Sequence, residues 1–177
     1  MKKVLAGLVF CAWASAATAG IFDGQTVQYQ YLLFTPTNPF DDGAAGNYVV
    51  GPGPEISTFA YNLDIGGDGF TVQFTISDHW TTVPFNGFRL TDVNGTIPAF
   101  TSFTMGANTG LLTETYGNPV LTFDADNLYV NWRSIGFQPG ITEFQVGVNA
   151  VPEPENYAML LAGMTLLGFR LARRTRR

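Results

Sequence analysis

Alternation of apolar and polar residues is the feature that most constrains the fold of this chain. Residues 59–65 (FAYNLDI) and 70–76 (FTVQFTI) carry an apolar side chain at every second position. A period of two is that of a β-strand with one buried face. The intervening residues GGDG are typical of a tight turn, because glycine adopts positive φ without steric cost. We expect a hairpin with Ile65 opposite Phe70 and with Phe59 on the same apolar face.

Similar alternation recurs in the rest of the segment 20–151, and no stretch there has a helical apolar period long enough for a helix. The further strands that we expect are residues 26–34, 120–123, 127–132 and 143–148, with 88–93, 100–105 and a short strand around Tyr48 as less regular candidates. The turn at Ala125-Asp126 predicts a second hairpin, with Phe123 opposite Leu128. About eight short strands predict an all-β fold, an antiparallel β-sandwich that is jelly-roll-like or Ig-like.

The N-terminus has the three parts of an export signal in their usual order. Met1-Lys2-Lys3 is basic, residues 4–14 are apolar but too short to cross a bilayer, and Ala17-Thr18-Ala19 offers small residues. We expect signal peptidase to cut after Ala19, with Ala17 and Ala19 at the −3 and −1 positions. The only cysteine, Cys11, lies in the apolar part. The mature chain would therefore have no disulfide, thiolate nucleophile or cysteine metal ligand.

The C-terminus predicts a short transmembrane helix. Its apolar run covers 157–169, and it reaches Ala172 if Arg170 extends its head group to the interface. Such a helix measures roughly 24 Å, less than the ~30 Å hydrocarbon core of a bilayer. The basic residues that follow should stay on the cytoplasmic side and stop transfer. They are Arg173, Arg174, Arg176 and Arg177.

The order of Pro152-Glu153-Pro154, an apolar run and an arginine cluster resembles the PEP-CTERM sorting signal. This resemblance implies that an exosortase-like enzyme of the inner membrane recognises Pro152, Glu153 and Pro154 and cuts near them. It also implies a transient inner-membrane anchor, followed by residence on the outer cell surface or secretion. The family belongs to bacteria that make extracellular polysaccharide, so it implies a biofilm or exopolysaccharide setting. The chain then divides into a signal peptide (1–19), an extracytoplasmic β-domain (20–150) and a sorting signal (151–177).

The β-domain is strongly acidic. Of the basic residues only Arg89 and Arg133 fall in 20–151, against twelve acidic ones, which gives this segment a net charge of −10. Such a surface repels phosphate backbones, so we expect no nucleic-acid partner.

The β-domain has few residues suited to catalysis. His79 is the only histidine, and the sequence around its possible partners Ser77 and Ser102 contains no Gly-x-Ser-x-Gly elbow. Carboxylate pairs could serve glycoside hydrolysis. The acids that could take part, Glu55, Glu114, Asp124 and Glu143, are not set apart by their context. We therefore predict no catalytic residue and a protein that is not an enzyme.

Two acidic turns and one tryptophan are candidate binding residues. Asp64 and Asp68, and likewise Asp124 and Asp126, place hard oxygen donors on tight turns, as calcium requires. Asp and Asn favour turns in any case, so we expect no cofactor and keep calcium as the alternative. Trp80 follows the strand 70–76 and is expected to be exposed, where an aromatic ring can stack on a sugar.

Three hypotheses follow for the domain. The first is a non-enzymatic protein of the cell surface or extracellular matrix. The alternative is a carbohydrate-binding, lectin-like module, with or without calcium, whose partner would be extracellular polysaccharide. A small secreted hydrolase is the third, and the modest length of the domain favours it least.

Overall fold

The structure, a computed structural model, describes residues 20–149 and 161–165. Within residues 20–149 it contains twelve β-strands and one short α-helix. In chain order they are β1 (Thr26–Leu33), β2 (Gly46–Val49), β3 (Ile56–Ser57), β4 (Tyr61–Gly66), β5 (Gly69–Phe74), β6 (Asp78–His79), β7 (Asn86–Asp92), β8 (Phe100–Asn108), α1 (Thr113–Tyr116), β9 (Val120–Phe123), β10 (Asn127–Asn131), β11 (Gly136–Phe137) and β12 (Gly140–Val148).

The long strands form two five-stranded antiparallel sheets. The first sheet has the order β2-β1-β7-β10-β9, and the second has the order β3-β4-β5-β12-β8. The short strands β6 and β11 pair with each other outside both sheets. The architecture is thus all-β, and it is an antiparallel sandwich as expected.

The inner faces of the two sheets share one apolar core. Its centre is the Phe88 ring of β7, which is fully buried. Ring centroids from both sheets surround it, at 5.5 Å for Tyr29, 5.9 Å for Phe70 and 5.6 Å for Trp132. A buried hydrogen bond of 2.7 Å also joins the hydroxyls of Tyr29 and Tyr61 across the sandwich. The alternating faces seen in the sequence are therefore the faces that meet in the core.

The predicted β4–β5 hairpin is confirmed in its register, but the position expected for Phe59 is wrong. Ile65 pairs with Phe70 and Tyr61 pairs with Phe74, whereas Phe59 is 78% exposed. β4 begins only at Tyr61, because residues 58–61 form the turn from β3. The Thr58 hydroxyl oxygen accepts hydrogen bonds from the Ala60 and Tyr61 N–H groups at 3.2 and 3.1 Å, and the turn directs Phe59 outwards.

The second predicted hairpin is also confirmed, with Phe123 paired to Leu128 across the Ala125-Asp126 turn. Leu128 and Trp132 are fully buried, whereas Phe123 on the edge strand β9 is 42% exposed. The candidate strands around Tyr48, at 88–93 and at 100–105 lie in β2, β7 and β8. The count of about eight strands was too low, mainly because β3, β6 and β11 have two residues each. Such short segments cannot show alternation.

Most of the predicted signal peptide and sorting signal lies outside the described residues. Residues 161–165, within the predicted transmembrane segment, are helical. Among the described residues no helix is both long and apolar enough to cross a membrane.

Candidate functional site: an aromatic pocket at one end of the sandwich

A pocket opens where β1 ends and β4 and β7 begin, at one end of the sandwich. Its cavity volume is about 200 Å³. We call it the aromatic pocket. The lining residues that matter for its chemistry are Tyr31, Phe40, Asp42, Phe59, Trp80 and Asn86. They come from five separate parts of the chain, which the strand order brings together.

Aromatic rings form the walls and rim of this pocket. Phe59 is 78% exposed and Phe40 is 46% exposed. The Phe40 ring meets the Tyr31 ring edge-on, with centroids 6.1 Å apart. Two exposed phenylalanines thus line one cavity, and large apolar groups gathered at a surface often mark a binding site.

Trp80 lies in this pocket but is half-buried, so the expectation of an exposed tryptophan needs correction. Its ring stacks on Trp132 at 5.2 Å and packs on Phe137 at 4.0 Å. Its backbone N–H donates to Ile135 O at 3.0 Å. The core therefore fixes the ring in place, and the part that remains accessible lines the pocket.

Polar groups of the pocket are held in fixed positions. The Asp42 carboxylate accepts a 2.5 Å hydrogen bond from the Tyr29 hydroxyl and one of 3.1 Å from the Ala44 N–H. The Tyr31 hydroxyl donates to Asn86 Oδ1 at 2.6 Å, and Asn86 Nδ2 donates to Thr81 Oγ1 at 3.0 Å. Asp42 thus keeps a half-buried, oriented carboxylate beside the aromatic rings, whereas Asn86 is buried and its amide is already hydrogen-bonded.

Burial keeps the phenols of this region neutral. Removal from water raises the pKa of Tyr29 above its ordinary value, and the nearby Tyr61 and Asp42 raise it further. Burial likewise raises the pKa of Tyr31 and Tyr61. At neutral pH these hydroxyls are hydrogen-bond donors and acceptors and not phenolate nucleophiles. The pocket is therefore suited to binding through ring contacts and hydrogen bonds.

The acidic turns considered for calcium lie at two separate places. Asp124 Oδ1 accepts hydrogen bonds from the Asp126 N–H, the Asn127 N–H and Asn127 Nδ2 at 2.8–3.0 Å. Desolvation alone would raise the pKa of Asp124, but these hydrogen bonds outweigh it and the net shift is downward. This carboxylate thus stabilises the β9–β10 turn, while Asp126 lies within that turn.

Asp64 and Asp68 lie in the other sheet, at the β4–β5 hairpin. Together with Glu143 they line an open groove of about 670 Å³ on the outer face of the second sheet. Thr71 pairs with Asp64 on one side and with Glu143 on the other. The backbones of Asp64 and Glu143 therefore lie about two strand spacings, roughly 10 Å, apart. In the described residues no group of three or more His, Cys, Asp or Glu side chains could hold a metal ion.

Two of the residues considered for catalysis, His79 and Glu55, have hydrogen-bond partners in the backbone. His79 is exposed in β6, and its Nε2 lies 3.0 Å from the backbone oxygen of Ser134. Glu55 accepts from the Ile65 and Gly51 N–H groups at 2.7 and 2.9 Å, which ties the loop before β3 to β4. Each of these groups has a role in a turn or loop.

Sequence reasoning found Trp80 but missed the residues around it. The sequence predicts Phe59 on the core face, and it gives no role to Phe40 or Asp42. One signal was present, since a Thr-x-x-Tyr sequence at 58–61 favours a turn stabilised by the threonine hydroxyl. Comparison of the chain with family models, curated proteins and solved structures finds no match.

Proposed function

We propose that this chain is an exported, non-enzymatic β-sandwich protein that an exosortase-type system sorts to the cell surface or the extracellular matrix. The observation that carries this proposal is the C-terminal order of Pro152-Glu153-Pro154, apolar run and arginine cluster. The fold supports it, because β12, the last strand that the structure describes, ends at Val148. A cut near the motif would release the domain with all twelve described strands intact.

Replacing Pro152, Glu153 and Pro154 by alanine should leave the protein in the inner membrane with its arginine tail attached. The reason is that the processing enzyme would lose its recognition motif while the apolar anchor stays. Cell fractionation and the intact mass of the protein measure this outcome. Wild-type protein should begin at Gly20 and lack the C-terminal apolar run.

Pro52 and Pro54 provide a matched control. They have the same Pro-x-Pro spacing, and both are exposed in a loop of the β-domain. The double variant Pro52→Ala, Pro54→Ala should be processed and released like wild type. Normal release of the Pro152–Pro154 variant would contradict the sorting proposal.

The aromatic pocket favours a second function, binding of extracellular polysaccharide. Sugar rings present apolar faces to aromatic side chains and hydroxyls to polar groups such as the Asp42 carboxylate. A cavity of about 200 Å³ is smaller than the roughly 300–1,000 Å³ typical of sites for drug-sized ligands. It suits one monosaccharide unit, such as the end of a chain.

Replacing Trp80 or Phe59 by alanine should weaken binding of a soluble polysaccharide by about tenfold or more, because aromatic anchors dominate such sites. Phe59→Ala is the cleaner variant, since this side chain is 78% exposed and contributes little to the core. Affinity electrophoresis in neutral and acidic polysaccharides, with and without calcium, measures the effect. Phe123→Ala, on the edge strand β9, is the control.

Two results would contradict this second function. One is that no polysaccharide lowers the electrophoretic mobility of the wild-type protein, either with or without calcium. The other is equal retardation of the Phe59→Ala variant and wild type. If the protein hydrolyses the polysaccharide and a single carboxylate substitution abolishes this activity, the result would instead support the enzymatic alternative.

A further inference from the structure

The segment that follows the predicted signal-peptidase site packs tightly on the β4–β5 turn. Phe22 is buried in the core and its N–H donates to Gly67 O at 3.2 Å. A Cβ atom at position 20 would lie 2.1 Å from the Gly67 Cα atom. Real Cβ atoms do not approach backbone so closely, so this position fits glycine alone. The first residue after the predicted cut therefore has a defined place in the fold.

The backbone nitrogen of Gly20 points to a carboxylate. It donates to Asp23 Oδ2 at 2.8 Å, while Asp23 Oδ1 accepts from the Gly67 N–H at 2.9 Å. Next to it, Asp68 Oδ1 accepts from the Ile21 N–H at 3.2 Å. Asp64 and Glu143 line the adjoining groove together with Asp68. The titratable groups around Gly20 N in the described residues are thus acidic.

We propose that Asp23 is the binding site for the α-ammonium group that cleavage after Ala19 creates at Gly20. This inference rests on the export proposed above. Water adds across the Ala19–Gly20 peptide bond, giving Ala19 a carboxylate and Gly20 an ammonium group. The neutral amide donor to Asp23 becomes a charged donor, and a charge-assisted hydrogen bond is shorter and stronger than a neutral one. The mature domain therefore gains an ion pair that its precursor lacks.

The ionisation of both partners agrees with this pair at neutral pH. Hydrogen bonds from the Gly67 and Gly20 N–H groups lower the pKa of Asp23, so its carboxylate is charged. In an unstructured chain the pKa of a free α-amino group is roughly 7.7–8.0. A bound carboxylate raises that pKa. The stabilisation is then fully present between the lowered pKa of Asp23 and about pH 7. It is lost as pH rises through the raised pKa of the amino group in the folded chain, and also in acid as Asp23 is protonated.

A titration of the chain without its signal peptide tests this site directly. The chain from Gly20 to Arg177, released from a fusion with Gly20 as its first residue, is labelled with ¹³Cα-glycine and held in detergent micelles. The Gly20 signal is identified as the one whose ¹³Cα chemical shift changes with pH as the α-amino group titrates. We expect its pKa to lie above the range of about 7.7–8.0 of a free amino terminus. A value inside that range in the wild-type chain would overturn the proposal.

Asp23→Asn is the decisive variant, because the amide keeps an acceptor for the Gly67 N–H and removes only the charge. It should return the pKa of the Gly20 amino group to the free range. Asp126→Asn, in the β9–β10 turn, is the matched control and should leave it raised. An equal fall in both variants would contradict a specific site at Asp23.

A second measurement does not depend on the titration. Gly20→Ala should push the amino terminus away from Asp23, because the added Cβ meets the Gly67 backbone. Its amino group should then react faster with an amine-selective acylating reagent at pH 7 than that of wild type, and equal rates would count against the proposal. The mass of the exported protein separately tests the cut after Ala19, so a wrong cleavage site and a wrong binding site give different results.

Discussion

Phe88→Ala should destabilise the mature chain by about 3–5 kcal/mol, the usual cost of removing a large buried ring. The Phe88 side chain is fully buried, and its ring contacts rings of both sheets, among them Tyr29 and Phe70. A cavity there would loosen the contact between the sheets. Domains of this kind have a free energy of unfolding of about 5–15 kcal/mol, so the loss would be a large fraction of it.

Urea unfolding followed by tryptophan fluorescence measures this effect, since Trp132 lies beside Phe88 with ring centroids 5.6 Å apart. Phe123→Ala is the matched control, because it removes the same side chain from the edge strand β9. We expect it to cost about 1 kcal/mol or less. Equal destabilisation by the two variants would contradict the central position of Phe88.

Gly87→Ala should be almost as damaging, although it adds only one methyl group. A Cβ atom at this position in β7 would lie 1.9 Å from the Val130 carbonyl oxygen of β10. Because the atom in the way belongs to the backbone, β7, the central strand of the first sheet, and its neighbour β10 must move apart. Overpacking of this kind costs roughly 1–3 kcal/mol and sometimes more, and we expect about 3 kcal/mol.

Gly51→Ala is the control for Gly87→Ala. Gly51 lies in an exposed loop, and a Cβ atom there would meet nothing within 4 Å. Its free energy of unfolding should stay within about 0.5 kcal/mol of wild type. Thermal unfolding followed by circular dichroism compares the two variants. A Gly87→Ala protein as stable as the Gly51→Ala protein would show that β7 and β10 can separate at little cost.

The sequence was sufficient for the local features of the fold. Alternation and a glycine turn fixed the pairing of Ile65 with Phe70, because a slip by one residue would move every apolar side chain to the wrong face. The same reasoning failed at Phe59. There a threonine hydroxyl competes for backbone N–H groups and ends the strand, and binary patterning does not include that interaction.

Features that depend on strand order could not be predicted. Gly87 is required because Val130, 43 residues later in the chain, lies against it. The aromatic pocket likewise combines Tyr31, Asp42, Phe59 and Trp80, which are distant in sequence. Alternation of apolar residues predicts which face of each strand is buried, but it does not predict which strands pair. The pocket depends on that pairing, so the sequence alone could not predict it.

The position of β12 has a consequence for the order in which the domain can form. β12 is the last strand among the described residues, yet in the second sheet it lies between β5 and β8. In the export that we propose, β5 and β8 have no partner on that side until residues 140–148 have crossed the membrane, so the second sheet remains in two parts. Because pairing of distant segments is slow, we expect this sheet to form late. It would be completed only after the residues that precede Pro152 have crossed.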